Sequence, residues 1–469
     1  MSLGRRSGRL AQLLALTASA LMPALVLADG LDLRGVGARQ IAGAGLPLFD
    51  DDPFAQAVDV ALPGAASTTV AVAWVSGLSG GGLTMQARPA SADVPDAVLT
   101  TSPEGGWPDA ANKPVPTGQL PSLRPTGAPA ADPALAIGAT FRLHRRLGVG
   151  VLAVLPQGAM VNGTLAYTDE RGALFGQGPR WARFDGNDRA PAIAMTVGAS
   201  PWDGFGFAFG AWMSQTTVAE ADTYVSTLGS DDPVPIALQT RVETSLAWRM
   251  GVRLGGGARR WLAGLSLQQA RGLEIESRSR VTIRGFGDAG PELEQRDTGV
   301  VGWVPTRVDA FGRWRGEGWR LAAGLTWRDR PSGASALPEP RIAASVAMGA
   351  AWEAVAGAAW SFAWQPAQTG RSNWVDNDVV AGSLGVSWRT ERSFGTLRIA
   401  AGTRLDWLVA RTHDKDASTI PDEVPPLVEP ATGAPVAGAE GLQTNNPGYP
   451  GYRSEGWIVS TSLTVTLQR

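Results

Sequence analysis

The 469-residue chain contains no cysteine, which removes disulfides, thiolate metal sites and cysteine nucleophiles at once. Its two histidines, His144 and His413, fall in a predicted tight turn and at the base of a predicted loop, and no serine has a convincing His/Asp partner arrangement. Enzymatic activity is therefore not expected. Lysine is nearly absent too: Lys113 and Lys415 are the only ones, so almost all of the 41 basic residues are arginine. A formal net charge of -2 gives no support for a nucleic-acid partner. The Gly35-x-Gly37 and Gly43-x-Gly45 pairs lack the preceding strand and the spaced third glycine of a phosphate loop. Asp50, Asp51 and Asp52 carry oxygen ligands but no calcium-loop spacing, which favours an acidic turn facing arginines over a metal site. No cofactor is expected. Asn162-Gly163-Thr164 matches a glycosylation sequon, a three-residue pattern that is read as chance.

Long apolar runs are missing beyond the first 28 residues, so no membrane helix is expected there. Residues 1–28 themselves place Arg5, Arg6 and Arg9 before an apolar run from Leu10 to Leu27 and end on the small residue Ala28, the pattern of a secretory signal peptide. After it, Arg34 to Gly64 lacks the two-residue alternation of the rest of the chain. Its small residues suit close packing, and the corner Asp50, Asp51, Asp52 followed by Pro53 ends any continuing element. This stretch reads as a plug, with a flexible N-terminal arm as the alternative.

From about residue 67, segments of ten or more residues alternate apolar with small or polar, the dyad pattern of a lipid-facing strand. Trp457, Val459, Leu463, Val465 and Leu467 share one face, while Ser460, Ser462, Thr464, Thr466 and Gln468 share the other. Soluble sandwich strands are usually shorter. Strands are predicted at 68–76, 134–143, 147–156, 190–200, 204–214, 237–254, 261–271, 304–315, 319–329, 341–351, 354–365, 379–389, 394–411 and 456–468. Leu83 to Arg88 is a candidate further short strand. Short turns at 144–146, 201–204, 255–260, 316–318, 352–353 and 390–393 alternate with long connections, among them 77–133, 157–189, 215–235, 272–303 and 412–455. Short turns on one side and long loops on the other define an outer-membrane barrel. The fold expected is all-β, a transmembrane antiparallel β-barrel of about 14 strands with a small N-terminal plug in its lumen.

Facing tryptophan and leucine to lipid turns Arg241, Glu243, Arg249, Arg253, Arg307, Asp309, Arg313, Arg320, Arg328, Arg398, Arg404 and Asp406 inward. Charges on the lipid face would cost roughly 2–4 kcal/mol each at the midplane, so the inward placement is physically required. Two roles follow for these groups. They pair with one another and hold the plug, or one or two of the arginines capture the carboxylate of an amphipathic ligand bidentately. The candidates are Arg241, Arg249, Arg307, Arg313, Arg320, Arg398 and Arg404.

With the plug, the strand count and the hairpin cadence in hand, the chain resembles the FadL-like outer-membrane transporters of long-chain fatty acids and aromatic hydrocarbons. Gly37-Ala38-Arg39, Gly43-Ala44-Gly45 and Asp51-Asp52-Pro53 stand in the order of that family's N-terminal hatch motifs. Asp59-Val60-Ala61 holds the place of the family's Asn-Pro-Ala, and the chain ends Leu467-Gln468-Arg469 where such barrels commonly end on an aromatic residue. The resemblance implies a hatch at 29–66, with Arg39, Asp50, Asp51, Asp52 and Pro53 as its gate, inside a barrel of 67–469. It implies passive, hatch-gated uptake of a hydrophobic small molecule across the outer membrane of a Gram-negative bacterium. Membrane lipid and lipopolysaccharide would surround a monomeric chain. The alternative is a non-transporting scaffold barrel for surface or secretion assemblies, and a general diffusion porin is weakened by the plug.

Overall fold

The computed structural model describes residues 35–86, 133–156, 180–181, 192–214, 217–226, 233–244, 246–257, 259–282, 292–304, 306–329, 337–363, 365–370, 373–420, 442, 446 and 448–469. The predicted signal peptide, the first residues of the hatch and the sequon lie outside them. A short helix α1 (Ala38–Ala42) and two 3-10 turns (Pro53–Ala57 and Leu62–Gly64) come first. Then follow β1 (Thr69–Met85), β2 (Ala134–His144), β3 (Leu147–Pro156), β4 (Arg180–Trp181), β5 (Ala192–Trp202), β6 (Phe205–Ser214) and β7 (Thr217–Ser226). The middle of the chain holds β8 (Pro233–Thr244), β9 (Ala247–Gly255), β10 (Trp261–Gln268), β11 (Arg271–Thr282), β12 (Glu292–Val304), β13 (Arg307–Arg315) and β14 (Trp319–Arg328). The last six are β15 (Glu339–Met348), β16 (Trp352–Ser361), β17 (Trp374–Val375), β18 (Val379–Arg392), β19 (Gly395–Asp414) and β20 (Gly451–Gln468).

Fourteen of these strands close into one antiparallel barrel, in the order β1-β2-β3-β5-β6-β9-β10-β13-β14-β15-β16-β18-β19-β20. The seam is sealed by β20 lying against β1, with Leu463 opposite Trp74 and Gln468 opposite Thr69. Closure satisfies every backbone ladder and leaves no edge, the condition for a sheet to stand in hydrocarbon. The side-chain dyad does the rest. On β5, Ile193, Met195 and Val197 are exposed while Ala194 and Thr196 are buried. Exposed Trp202, Trp261, Trp314, Trp319 and Trp352 flank the short turns, whereas exposed Trp327, Trp360 and Trp407 lie toward the opposite ends of their strands. Aromatic girdles at both rims of an apolar band are the signature of a barrel in the outer membrane of a Gram-negative envelope. The short turns and both ends of the barrel, Thr69 and Gln468, share one rim, which is the periplasmic one.

Several boundaries differ from the sequence expectation. The predicted strand 237–254 is two elements: β8 leaves the wall and only β9 belongs to the barrel. Together β7, β8, β11 and β12 form a separate four-stranded sheet, ordered β12-β11-β8-β7, of which β7, β11 and β12 fall within connections expected to be loops. Alternation continues unbroken through 237–254 because period 2 records that a segment is extended, not which sheet it joins. Arg241 and Glu243 lie on β8, in this separate sheet and not on a barrel strand. The candidate short strand near Leu83 is the far end of β1, which pairs with β20 up to Met85. The turn expected at 352–353 lies at 349–351, and Arg392 pairs with Gly395 where a wider turn was expected. β20 begins at Gly451, five residues early.

Candidate functional site

Residues 35–66 pack against the inner surface of the barrel. All five residues of α1 are buried, and so are Phe54, Ala55, Gln56, Val60, Ala61 and Leu62. Small residues make this possible on both sides. A Cβ added at Gly402 or Gly148 would run into the carbonyl oxygens of Ala38 and Pro63 respectively. One added at Gly198 would lie 2.5 Å from the Gly64 nitrogen, and one at Gly357 would lie 2.8 Å from the Ala44 nitrogen. Inward glycines on β3, β5, β16 and β19 thus bring segment backbone directly onto wall backbone.

Hydrogen bonds fix the register of that contact. Ala38 N donates to Thr464 Oγ1 at 2.8 Å, Ser462 Oγ donates to Val36 O at 3.2 Å, and Ser383 Oγ donates to Ala42 O at 2.8 Å. Across the β1–β20 seam, Gln56 Nε2 donates to Ala139 O on β2 at 3.3 Å and to Val151 O on β3 at 2.9 Å. Val60 N donates to Ser266 Oγ at 3.1 Å. Arg249, fully buried, donates to the Gln56 carbonyl.

The acidic corner carries the charge pairing. Asp50 binds Arg253 through Oδ1 and Arg313 through Oδ2, both at 2.7 Å. Asp51 takes Arg39 at 2.7 Å and Arg398 at 2.6 Å. Glu353 extends the chain of charges, accepting from Arg320 and lying 3.3 Å from Arg398 and 3.6 Å from Arg39. The Arg39 guanidinium also sits 3.4 Å from the Phe49 ring centroid, a cation–π contact. Burial pushes the Asp51 carboxyl up, but Arg39 and Arg398 outweigh it and hold it at about 2. Burial works against Asp50 as well, and Arg313 with Arg253 holds that carboxyl well below the usual carboxylate range. Asp50 nevertheless leaves 42 % of its side chain open, so its pairs are partly screened and weaker than fully buried ones.

The third member of the corner behaves differently. Asp52 caps the first 3-10 turn, its Oδ1 accepting from Phe54 N at 3.1 Å with Pro53 at the first helical position. Burial raises its pKa, as it does for Asp59, whose partner Arg253 at 3.2 Å offsets only part of the cost. Of the predicted lumen arginines, Arg253, Arg313 and Arg398 reach the corner directly, and Arg320 reaches it through Glu353. Arg307 and Arg404 pair with wall carboxylates two residues on, Asp309 at 2.7 Å and Asp406 at 2.8 Å. Glu353 and Gln56 have no role predicted from sequence, and Asp59 stands out there only as a departure from the family's Asn-Pro-Ala. Glu353 was hidden in a misplaced turn, while Gln56 and Asp59 belong to a stretch whose wall partners only the barrel register reveals.

At the outer end, Trp181, Val375, Val379, Leu408, Tyr452 and Ile458 form a buried apolar cluster, with Leu83 and Met85 packed against it. The parallel pair β4 and β17 brings Trp181 opposite Val375. His413, fully buried beside this cluster, stacks on Tyr452 with centroids 4.6 Å apart and accepts from Gln368 N at Nδ1. Among the described residues no group of three His, Cys, Asp or Glu side chains could hold a metal ion.

No family model and no curated protein matches the chain. Solved structures similar to it include the monoaromatic hydrocarbon channel CymD, at 9% identity over 93% of this chain and 98% of that one with a TM-score of 0.46. The P. putida toluene transporter TodX is similar at 9% identity over 93% of this chain and 99% of that one, TM-score 0.46. The Ralstonia pickettii toluene transporter TbuX is similar at 12% identity over 94% of this chain and 100% of that one, TM-score 0.42.

Proposed function

We propose that this barrel is a FadL-like outer-membrane transporter that takes up hydrophobic compounds, such as long-chain fatty acids or hydrocarbons, by passive, hatch-gated diffusion. The observation that carries the reading is a lumen occupied by its own N-terminal segment, docked backbone to backbone on wall glycines and tied through Asp50 and Asp51 to three wall arginines, Arg253, Arg313 and Arg398. A segment held in this way suits a barrel that passes selected molecules and not bulk water. The apolar cluster of Trp181, Leu408, Tyr452 and Ile458 at the outer end suits an apolar ligand entering from outside. Arg39, Asp50 and Asp51 serve as the latch of the hatch, and Asp52 with Pro53 shapes the turn that presents them.

The test is to purify the full chain in a detergent without acyl-chain character and to identify co-extracted small molecules by mass spectrometry. Stoichiometric fatty acid or hydrocarbon supports uptake, and an empty lumen with a bound protein partner supports the scaffold reading. The extra sheet of β7, β8, β11 and β12, outside the barrel, is the feature that favours the scaffold.

A further inference from the structure

The arginines of the periplasmic rim take no part in the hatch, and their placement points to a second kind of partner. The turn after β2 carries Arg145 and Arg146, the turn after β9 carries Arg259 and Arg260, and Arg315 and Arg392 close β13 and β18. All six are exposed. Opposing them on the same rim are the exposed carboxylates Asp203, Glu317 and Glu391, so the rim is net basic although the whole chain is slightly acidic. Among the described residues no ion pair engages any of the six.

Depth is set independently, by the aromatic girdle. Exposed Trp261 adjoins Arg260, exposed Trp314 adjoins Arg315, and exposed Phe394 lies two residues beyond Arg392. Such rings sit at head-group level, and at about 3.3 Å per residue the neighbouring guanidinium groups reach the phosphate layer. The Arg259 guanidinium lies 5.6 Å from the Trp261 ring centroid. Arg315 spends one N–H on the Gly257 carbonyl, which ties two adjacent turns together and leaves the rest of its five donors for other partners.

We infer that this rim is a binding surface for anionic phospholipid head groups of the inner leaflet. The use of arginine without a single rim lysine fits that chemistry, because the planar fork binds a phosphate bidentately where an ammonium acts as a point charge. The inference does not depend on what passes through the barrel.

The test reconstitutes the full chain in nanodiscs of phosphatidylcholine with a minor fraction of phosphatidylglycerol and measures, by native mass spectrometry, the lipids that survive partial delipidation. Phosphatidylglycerol should be enriched about fivefold or more over its bulk fraction, the effect of one or more arginines at a charged surface. The R145Q/R146Q/R259Q/R260Q/R315Q/R392Q variant, with heat-modifiability confirming its fold, should fall to the bulk ratio. Should that variant fail to fold, raising salt from roughly 0.05 to 0.5 M, which shortens the Debye length severalfold, should remove most of the enrichment from the unaltered chain. A bulk ratio in the unaltered protein, enrichment that survives in the folded variant, enrichment indifferent to salt, or displacement of the lipid by inorganic phosphate at an ionic strength where chloride leaves it bound would each overturn the inference.

Discussion

Replacing both Asp50 and Asp51 with asparagine removes the three ion pairs that tie the segment to the wall arginines Arg253, Arg313 and Arg398, together with the Arg39 pair inside the segment, while keeping side-chain size. Each carboxylate now binds two arginines at 2.6–2.7 Å. A hydrogen bond to a charged group is worth about 1.5–3 kcal/mol, and exposed pairs fall to about 0–1 kcal/mol. With Asp51 23 % open and Asp50 42 % open, a figure of about 1–2 kcal/mol per carboxylate is reasonable. The pair together then holds the segment by roughly 2–4 kcal/mol, which on loss raises the open population roughly 30- to 700-fold. Because the chain has no cysteine, Ala55→Cys places a single thiol in the buried segment, and its modification rate by a maleimide reads that population directly. The double variant should label faster by that factor. Asp52→Asn should leave the rate nearly unchanged, since asparagine caps as well as aspartate. A double-variant rate within about threefold of the parent, a difference well under 1 kcal/mol, or an Asp52→Asn effect as large, refutes the latch.

Deleting residues 34–64 should leave a heat-modifiable barrel, because its ladders are all between strands, and should turn a nearly non-conducting protein into one passing ions in planar bilayers; an unchanged conductance means the segment does not occlude. Gly402→Val places a Cβ against the Ala38 carbonyl, so it should displace α1 and speed labelling at position 55 without unfolding the wall, and an unaltered rate would remove the close approach from the account. Asp50 and Asp51 have folded pKa values below the ordinary value, about 2 for Asp51, so their stabilisation is complete above about pH 4 and drains away as pH falls toward 2. Conductance should therefore be flat from neutral to about pH 5 and rise steeply only below about pH 4, and a transition near neutrality would mean that other groups hold the segment. A tag between residues 421 and 441 should be reachable on intact cells while one at Arg469 should not, and surface labelling of the C-terminal tag would put the strand count out by one.

The wall was legible because lipid and lumen impose opposite demands on alternate residues, so all fourteen barrel strands announce themselves in runs such as Trp457 to Gln468. What the dyad cannot encode is partnership, which is why β8 and β9 read as one strand and Arg241 was assigned to the lumen. In the site, the kinds of residue were legible and the pairs were not. Asp50 and Asp51 stood out as an acidic corner, yet choosing Arg253, Arg313 and Arg398 from a dozen inward charges requires the strand register. The glycine contacts left a signal that went unread: Gly148, Gly198, Gly357 and Gly402 all fall on inward parity, where a lumen-lining strand would otherwise carry a polar side chain.

The N-terminal segment touches β3 and β5 through Gly148 and Gly198, and β19 and β20 through Gly402, Ser462 and Thr464. The earliest-made part of the chain therefore binds the latest-made strands, across more than 400 residues. Contacts so distant in sequence form late, because the loop they close must be ordered before they repay its entropy. The same is true of the seam between β1 and β20. Docking of the segment and sealing of the barrel thus draw on the same last strand: β20 is held from within, through Ser462 and Thr464, as well as along its edges by β1 and β19.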